Sequence, residues 1–436
     1  MSNAMVGLLS ILGMLALIQL GMHISIALML LSFIGAWMIR GDFVIAGDML
    51  SLSAMESIAY YSFGVIPLFV LMGLLVDVSR IGRDTFDVAA SVTRRIRGGV
   101  GMATVGANAV FAAVNGTSIA SASLFTKVAV PEMLRLGYAP RFSVGVVAGS
   151  SILGMLIPPS LLLILFGIIT ETSIGQLFTG GILPGLMMSA AFMLLILALV
   201  HFAPAFVFAD GAGSREPALY TLVQQARMIA PVVLLIALVL GGIYGGLFTP
   251  TEAGGVGALG ALVLALVRRA LTPQSLWRTL LETGRVTASL SMLLVGAHLY
   301  ANMLALSGLP NHLGEWMTSS GLGFYTLLAI YLVVILLMGT ILDSASIMLI
   351  VIPLVLPTMQ ALNVDIVWFG VITVVAVEVG LLTPPLGVAC FAIKSNLNDP
   401  RITLNDIFWG AAPFALTMVA VLILLVLFPK IVTVLL

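Results

Sequence analysis

The 436-residue chain is 61% hydrophobic and 8% charged, and its 18 basic residues balance 18 acidic ones. Soluble domains are about a quarter charged, so this composition cannot coat a water-soluble surface and describes a polytopic membrane protein instead. Net neutrality removes any basic footprint for nucleic acid. The lone Cys390 excludes a disulfide framework, and His23, His201, His298 and His312 are too dispersed for a ligand motif.

A membrane helix takes about 20 mostly apolar residues. Such runs occupy 5–20, 22–39, 58–78, 98–134, 141–172, 176–207, 222–247, 251–267, 286–307, 321–362, 366–395 and 406–433. The first has no basic segment before it and no small-residue cleavage site after it, so it is not read as a secretory signal. Runs 98–134 and 321–362 are long enough for two passes, or for a hairpin that enters and leaves on one face. Either choice leaves sidedness unchanged. Alternate counting then places 80–97, 135–141, 208–227, 268–285 and 394–405 on one face, with fifteen of the eighteen Lys and Arg residues. The positive-inside rule makes that face cytoplasmic and puts both termini on the other side. Segment 80–97, with alternating Asp and Arg, predicts an amphipathic surface helix.

The two halves resemble each other. Gly116-Thr117-Ser118-Ile119-Ala120-Ser121-Ala122-Ser123 answers Gly339-Thr340-Ile341-Leu342-Asp343-Ser344-Ala345-Ser346, and Gly154 to Pro158-Pro159 answers Gly380 to Pro384-Pro385. From Gly-Thr to Pro-Pro the intervals are 42 and 45 residues. Leu177-Phe178-Thr179-Gly180 likewise answers Ile407-Phe408-Trp409-Gly410. Loop 80–97 carries five Arg and its counterpart 308–320 none, so the copies have opposite orientation. The expectation is an all-α membrane protein with an inverted-topology repeat, about ten spans and two re-entrant helical hairpins. The first repeat is 5–207, a cytoplasmic linker 208–221 follows, and the second repeat is 222–433. Inverted repeats mark secondary transporters, whose sites lie near the midplane where broken helices expose carbonyls.

Each Pro-Pro pair removes amide donors inside an apolar run and frees carbonyls. Unwound backbone is tolerated at membrane depth only where protein or water satisfies it. One such kink is a packing feature; a pair at matching repeat positions, each tied to a Gly-Thr tip, favours a site for hard cations, which take clustered oxygens. Asp343 and Glu378 are the notable ionisable groups, since a charge at mid-helix costs roughly 2.5–3.5 kcal/mol on insertion scales. Lys127 and Glu132 read as a structural pair. Ser121 and Ser123 have no His nearby in sequence, so an enzyme is not expected, and a passive channel is the other minor alternative.

Three motifs carry a family resemblance: Ile157-Pro158-Pro159-Ser160 with Thr170-Glu171-Thr172-Ser173-Ile174-Gly175; Gly241-Gly242-Ile243-Tyr244-Gly245-Gly246-Leu247-Phe248-Thr249-Pro250; and Glu378-Val379-Gly380-Leu381-Leu382-Thr383-Pro384-Pro385. Together they resemble the large membrane subunit of TRAP (tripartite ATP-independent periplasmic) transporters, over essentially the whole chain from Val6. The resemblance implies an elevator-type, Na⁺-coupled carrier in a bacterial or archaeal inner membrane. It would work with a small four-helix membrane subunit and a periplasmic binding protein that delivers an organic acid. Two or more Na⁺ ions are implied. One site would involve Asn115, Thr117 and Ser118 with carbonyls around Gly154, Ile157 and Pro158. The second would involve Gly339, Thr340, Asp343, Gly380 and Thr383. Substrate would lie between the hairpin tips, near Ser121, Ser344, Glu378, Pro159 and Pro385. Two departures stand out: Asn115 and Thr117 interrupt a tip that is often only Gly and Ser, and Ala376 replaces a frequent Asn. C4-dicarboxylates, keto acids, sugar acids and sialic acid span the family's range. A stand-alone Na⁺/dicarboxylate symporter is the closest alternative.

Overall fold

The computed structural model describes residues 2–59, 61–209, 218–319, 321–397 and 399–436, so 210–217 of the expected linker lie outside it. Among the described residues every extended element is a helix, and one isolated bridge joins Tyr138 to Phe208. The chain opens with α1 (Asn3–Gln19), α2 (Ile24–Arg40), α3 (Phe43–Ala59), α4 (Val65–Val78) and α5 (Ile81–Thr93). A hairpin follows, α6 (Gly99–Asn115) and α7 (Ser118–Arg135), then a broken helix, α8 (Pro140–Ser151), α9 (Leu153–Leu156) and α10 (Leu161–Thr170), then α11 (Ile174–Phe202) and α12 (Pro204–Val207). The second half runs α13 (Leu222–Tyr244), α14 (Pro250–Val267), α15 (Pro273–Ser307) and α16 (Leu309–Ser319). It continues with a second hairpin, α17 (Phe324–Gly339) and α18 (Ser344–Ala361), a broken helix, α19 (Ile366–Leu382) and α20 (Val388–Asn396), and finally α21 (Leu404–Leu427) and α22 (Lys430–Thr433).

Seven helical segments among the described residues are long and apolar enough to cross a membrane, or eight if α4 and α5, bent by 60°, count as one. The hairpin arms α6 and α17, and helix α19, belong to a shorter apolar class of 10–17 residues. The result is a multi-pass membrane protein. Start signals are local: Thr221 with Gln224, Thr249 with Glu252, Thr272 with Ser275 and Thr403 with Asp406 form reciprocal capping boxes on α13, α14, α15 and α21.

Two segments expected as loops are helical. In 40–57, Asp42 accepts from the Val44 amide at 2.7 Å and caps α3, which Asn302 of α15 holds by a 2.9 Å bond to Ser53. In 308–320, Gly308 turns the chain at φ 69° and α16 follows, in the place after α15 that the expected surface helix α5 takes after α4. α16 was hidden because a short amphipathic helix has no long apolar run, and α3, though apolar, because Asp42 precedes it and Asp48 and Glu56 punctuate it.

Burial separates two groups. Helices α1 to α4 pack with α13 to α15, and α13 and α14 leave Leu234, Leu259 and Leu266 exposed, as lipid-facing surfaces do. The first hairpin, α18 and the broken helices hold much of the interior: α19 is buried from Val367 to Leu382, Glu378 included, whereas the hairpin arm α17 leaves Tyr325, Val333 and Leu337 exposed. Crossings there are backbone to backbone. A Cβ on Gly145 of α8 would lie 2.1 Å from the Gly410 carbonyl of α21, and one on Gly410 would lie 2.1 Å from the Arg141 carbonyl.

One register relates the two halves. Thr117 and Asp343 cap α7 and α18, and the interval from cap to Pro-Pro is 41 residues in both, 117 to 158 and 343 to 384. The same offset of 226 residues relates Ser118 to Ser344, Pro131 to Pro357 and Gly154 to Gly380. Pairing the two Gly-Thr motifs was therefore three residues out of register. The second tip carries a longer connection, because α17 ends at Gly339 while α6 ends at Asn115, next to its cap.

Gly145→Ala and Gly410→Ala should each lower stability by about 1–3 kcal/mol, since rigid backbone must move to admit a methyl group. Gly241→Ala, where a Cβ would meet nothing within 4 Å, should not. Thermal unfolding in detergent compares the three.

Candidate functional site

The first tip is built where α6 ends and α7 begins. Gly116 takes the left-handed conformation (φ 71°) that reverses the chain, and Thr117 caps α7. Asn115 Nδ2 donates to the Thr117 carbonyl and to Thr117 Oγ1, both at 3.1 Å. The broken helix closes on this turn. The Leu161 amide, just past the break, donates to the Gly116 carbonyl at 3.1 Å. A Cβ on Gly154 would lie 2.5 Å from the Thr117 carbonyl oxygen and 3.1 Å from Ser121 Oγ. Ser121 Oγ is buried without a hydrogen-bond partner among the described residues. Thr117, Ser121 and Gly154 thus bring oxygens and bare backbone to one point. Ile157 ends α9 beside Pro158-Pro159, and a Cβ on Gly116 would meet the Pro159 carbonyl at 2.7 Å.

The second tip repeats the plan with different side chains. The Leu386 amide donates to the Thr340 carbonyl at 3.2 Å, and a Cβ on Gly339 would lie 2.7 Å from the Gly380 Cα. Asp343 caps α18: its carboxylate accepts from the Ser346 amide at 3.3 Å and from the Ser346 hydroxyl. Thr340 and Thr383 hydroxyls each donate to a carbonyl of their own helix, those of Leu337 and Val379. Their lone pairs stay available. Pro158 and Pro159 are buried, whereas Pro384 and Pro385 are exposed, so the first break is sealed and the second is open.

Glu378 lies between the tips. It is 0% exposed, accepts from Ser344 Oγ at 3.1 Å and faces Ser118 of the other hairpin. A cavity of about 930 Å³ runs from the tips toward α4 and α15, with Asn115, Ser118, Asp343 and Ser344 at its head and Arg278 along its wall. Of the residues expected near substrate, Ser344 lines this cavity. Ser121, Pro159 and Glu378 are sealed behind it, and Pro385 sits at the open break.

Three contributors were missed in sequence. Lys127 does not pair with Glu132, which binds Arg135 at 2.8 Å. Instead Lys127 lines the cavity, which Asp77 of α4 lines as well. Helical spacing could have separated them, since positions 127 and 132 are five apart whereas 132 and 135 are three apart. Gly73 of α4 permits the close approach of the first tip, where a Cβ would meet Asn115 Oδ1 at 2.8 Å. In the hairpin core, Asn108 Nδ2 donates to Ser150 Oγ at 2.7 Å. No local signal marks these long-range partners.

Comparison with known proteins now bears on this geometry. Residues 11–431 match the family described as the tripartite ATP-independent periplasmic transporter, DctM component. The chain is 32% identical over 385 residues to the C4-dicarboxylate TRAP transporter large permease protein DctM of Pseudomonas aeruginosa, covering 88% of each chain. It is 30% identical over 368 residues to the sialic acid TRAP transporter large permease protein SiaM of Vibrio cholerae, covering 84% of each. Its fold is similar to that of the Alcanivorax borkumensis YdaH transporter, with a TM-score of 0.63 at 14% identity over 88% and 89% of the two chains.

With Cys390 replaced by Ser, Lys127→Cys should react rapidly with a water-soluble maleimide, because Lys127 is exposed where it lines the cavity. Ser150→Cys, fully buried, should stay unlabelled until the protein unfolds. Mass spectrometry of the labelled chain reads both.

Proposed function

The chain belongs to the DctM-component family of tripartite ATP-independent periplasmic transporters, and from that premise we propose Na⁺-coupled uptake of an organic acid by an elevator movement. Membership makes it a transporter component and not an enzyme. The proposed assembly sits in the inner membrane, with a small membrane subunit and a periplasmic protein that delivers substrate. C4-dicarboxylate and sialic acid, named for two relatives, are carboxylate anions, and the same class is proposed here.

The observation that carries this reading is the pair of tips in one register, each closed by a broken helix. Hard monovalent cations need several oxygens at a point, and a capped turn against an unwound helix supplies them, from neutral groups at the first tip and with the Asp343 carboxylate added at the second. The first Na⁺ is assigned to Asn115, Thr117, Ser118 and carbonyls around Gly154, Ile157 and Pro158, with the free Ser121 hydroxyl added. The second is assigned to Gly339, Thr340, Asp343, Gly380 and Thr383. Substrate carboxylate is assigned to the head of the cavity, where α7 and α18 present their N-termini at Ser118 and Ser344. Converging helix N-termini favour an anion there.

The mobile unit would comprise both hairpins and both broken helices, moving against α1 to α4 and α13 to α15. The repeats 5–207 and 222–433 are proposed to lie inverted in the membrane, with the Arg-rich loops cytoplasmic and both termini periplasmic. Coupling is favourable in sign: each inward Na⁺ gains roughly 2.3 kcal/mol per 100 mV. Two ions would offset a dicarboxylate and add the concentration gradient.

Ser121→Ala and Thr383→Ala should each raise the half-saturating Na⁺ concentration at least about tenfold, the scale of a lost contact to a charged group. Asp343→Asn keeps the helix cap, so a change there reports the carboxylate charge. The assay is Na⁺-driven uptake in proteoliposomes with the small subunit and loaded binding protein. Unchanged Na⁺ dependence in all three variants would remove the site assignment. Full uptake by this chain alone would favour a stand-alone symporter.

A further inference from the structure

Glu378 has no role in either proposed cation site, yet it touches both hairpins. It is 0% exposed on a helix whose neighbours Val374, Val375, Ala376, Val377 and Val379 are apolar and buried. Ser344 of the second hairpin donates to Oε1 at 3.1 Å, the one hydrogen bond the carboxyl accepts among the described residues, and the Ser118 hydroxyl of the first hairpin lies close enough to act on the same carboxyl without bonding it here. Oε2 has no hydrogen-bond partner among the described residues. The two serines are the first residues of α18 and α7, at equivalent positions in the common register. The Asp343 carboxylate next to Ser344 is directed to Ser346, so the neighbouring acid does not compete.

Burying such a group is costly unless its hydrogen bonds are made. The carboxyl has acceptor capacity for both serines, and satisfying it requires both tips to sit correctly at once. The placement also connects the proposed sites. Ser118 follows Thr117, whose carbonyl belongs to the first, and Gly380 of α19, packed on Gly339, belongs to the second. An ion that orders one tip therefore sets the Glu378 carboxyl for the other, and the second ion meets a tip already ordered. Ordering shared in this way produces positive cooperativity without direct contact between ligands.

We propose that Glu378 is a positioning residue that clamps the two hairpin tips through Ser118 and Ser344 and makes Na⁺ binding at one site favour binding at the other. The inference rests on the Na⁺-coupled reading above. It differs from a substrate role, since Glu378 lies behind the cavity.

The test is Na⁺ titration of the purified full chain, followed by thermal stability at constant ionic strength with choline as replacement, and repeated as uptake in the reconstituted system. The wild-type curve should be sigmoidal. Glu378→Met, of similar length without polar atoms, should fold and be at least as stable without Na⁺. Its Hill coefficient should fall to about 1, and its half-saturating Na⁺ should rise about fivefold or more. Glu378→Gln can still bond both serines and should retain the sigmoidal curve, a rescue that mere packing would not produce. If Glu378→Met does not fold, Ser344→Ala removes one arm of the clamp and should give the same loss. Wild-type cooperativity in Glu378→Met or Ser344→Ala overturns the proposal alone, as does a Gln variant no more cooperative than Met. A wild-type chain that responds to Na⁺ without cooperativity overturns it too. A wild-type chain that responds no more to Na⁺ than to choline overturns the Na⁺-coupled reading beneath it.

Discussion

Every backbone donor and acceptor at membrane depth must find its partner within the protein, because lipid offers none. This chain breaks helices at two places inside apolar sequence, and much else follows from how those breaks are satisfied. At the first, the Leu161 amide meets the Gly116 carbonyl; at the second, the Leu386 amide meets the Thr340 carbonyl. A hairpin tip and a broken helix thus complete each other. Neither could hold its shape alone, so the tips and the broken helices are packed inside the fold, while more lipid-exposed helices, the hairpin arm α17 among them, lie outside.

That constraint explains the glycines that matter. Gly154 lies against the Thr117 carbonyl, Gly339 against Gly380, and Gly145 against Gly410, each at a separation that leaves no room for a side chain. Contacts of this kind trade side-chain packing for backbone proximity, the usual way small residues join helices where water exclusion contributes little. They also leave carbonyls and hydroxyls grouped at both tips, with the Asn115 amide at the first and the Asp343 carboxylate at the second. Neutral oxygens at the first tip suit a cation that must enter and leave, and the single Asp343 carboxylate at the second would balance the charge of the ion held there.

Much of this was legible in sequence, for identifiable reasons. Apolar runs and loop charges show a multi-pass chain because lipid and water select opposite residues. The Pro-Pro pairs with Gly154 and Gly380 mark the breaks because proline cannot donate. The register of the second tip was not legible: Gly339-Thr340 looks like Gly116-Thr117, but α18 starts at the Asp343 cap, and the competition between a Thr turn and an Asp cap is settled by packing. Helix α16 was missed because its apolar face is short, and α3 because acidic residues at 42, 48 and 56 interrupt the apolar sequence there. The cavity that Lys127 and Asp77 both line, and the bond of Ser344 to Glu378 with Ser118 nearby, bring together residues 34 to 260 positions apart in the chain, which no local pattern encodes.

The central claim is that the two tips are cation sites in one register. The most direct measurement is a high-resolution map of the chain with its membrane partner, determined in Na⁺ and again in choline. The expected result is one spherical density at each tip in Na⁺, about 2.3–2.6 Å from its oxygens, at Thr117, Ser121 and Gly154 and at Gly339, Gly380 and Thr383. Both densities should be lost in choline. Tips without such density in Na⁺, in a map that resolves ordered water elsewhere, or with the same density in choline, would contradict it.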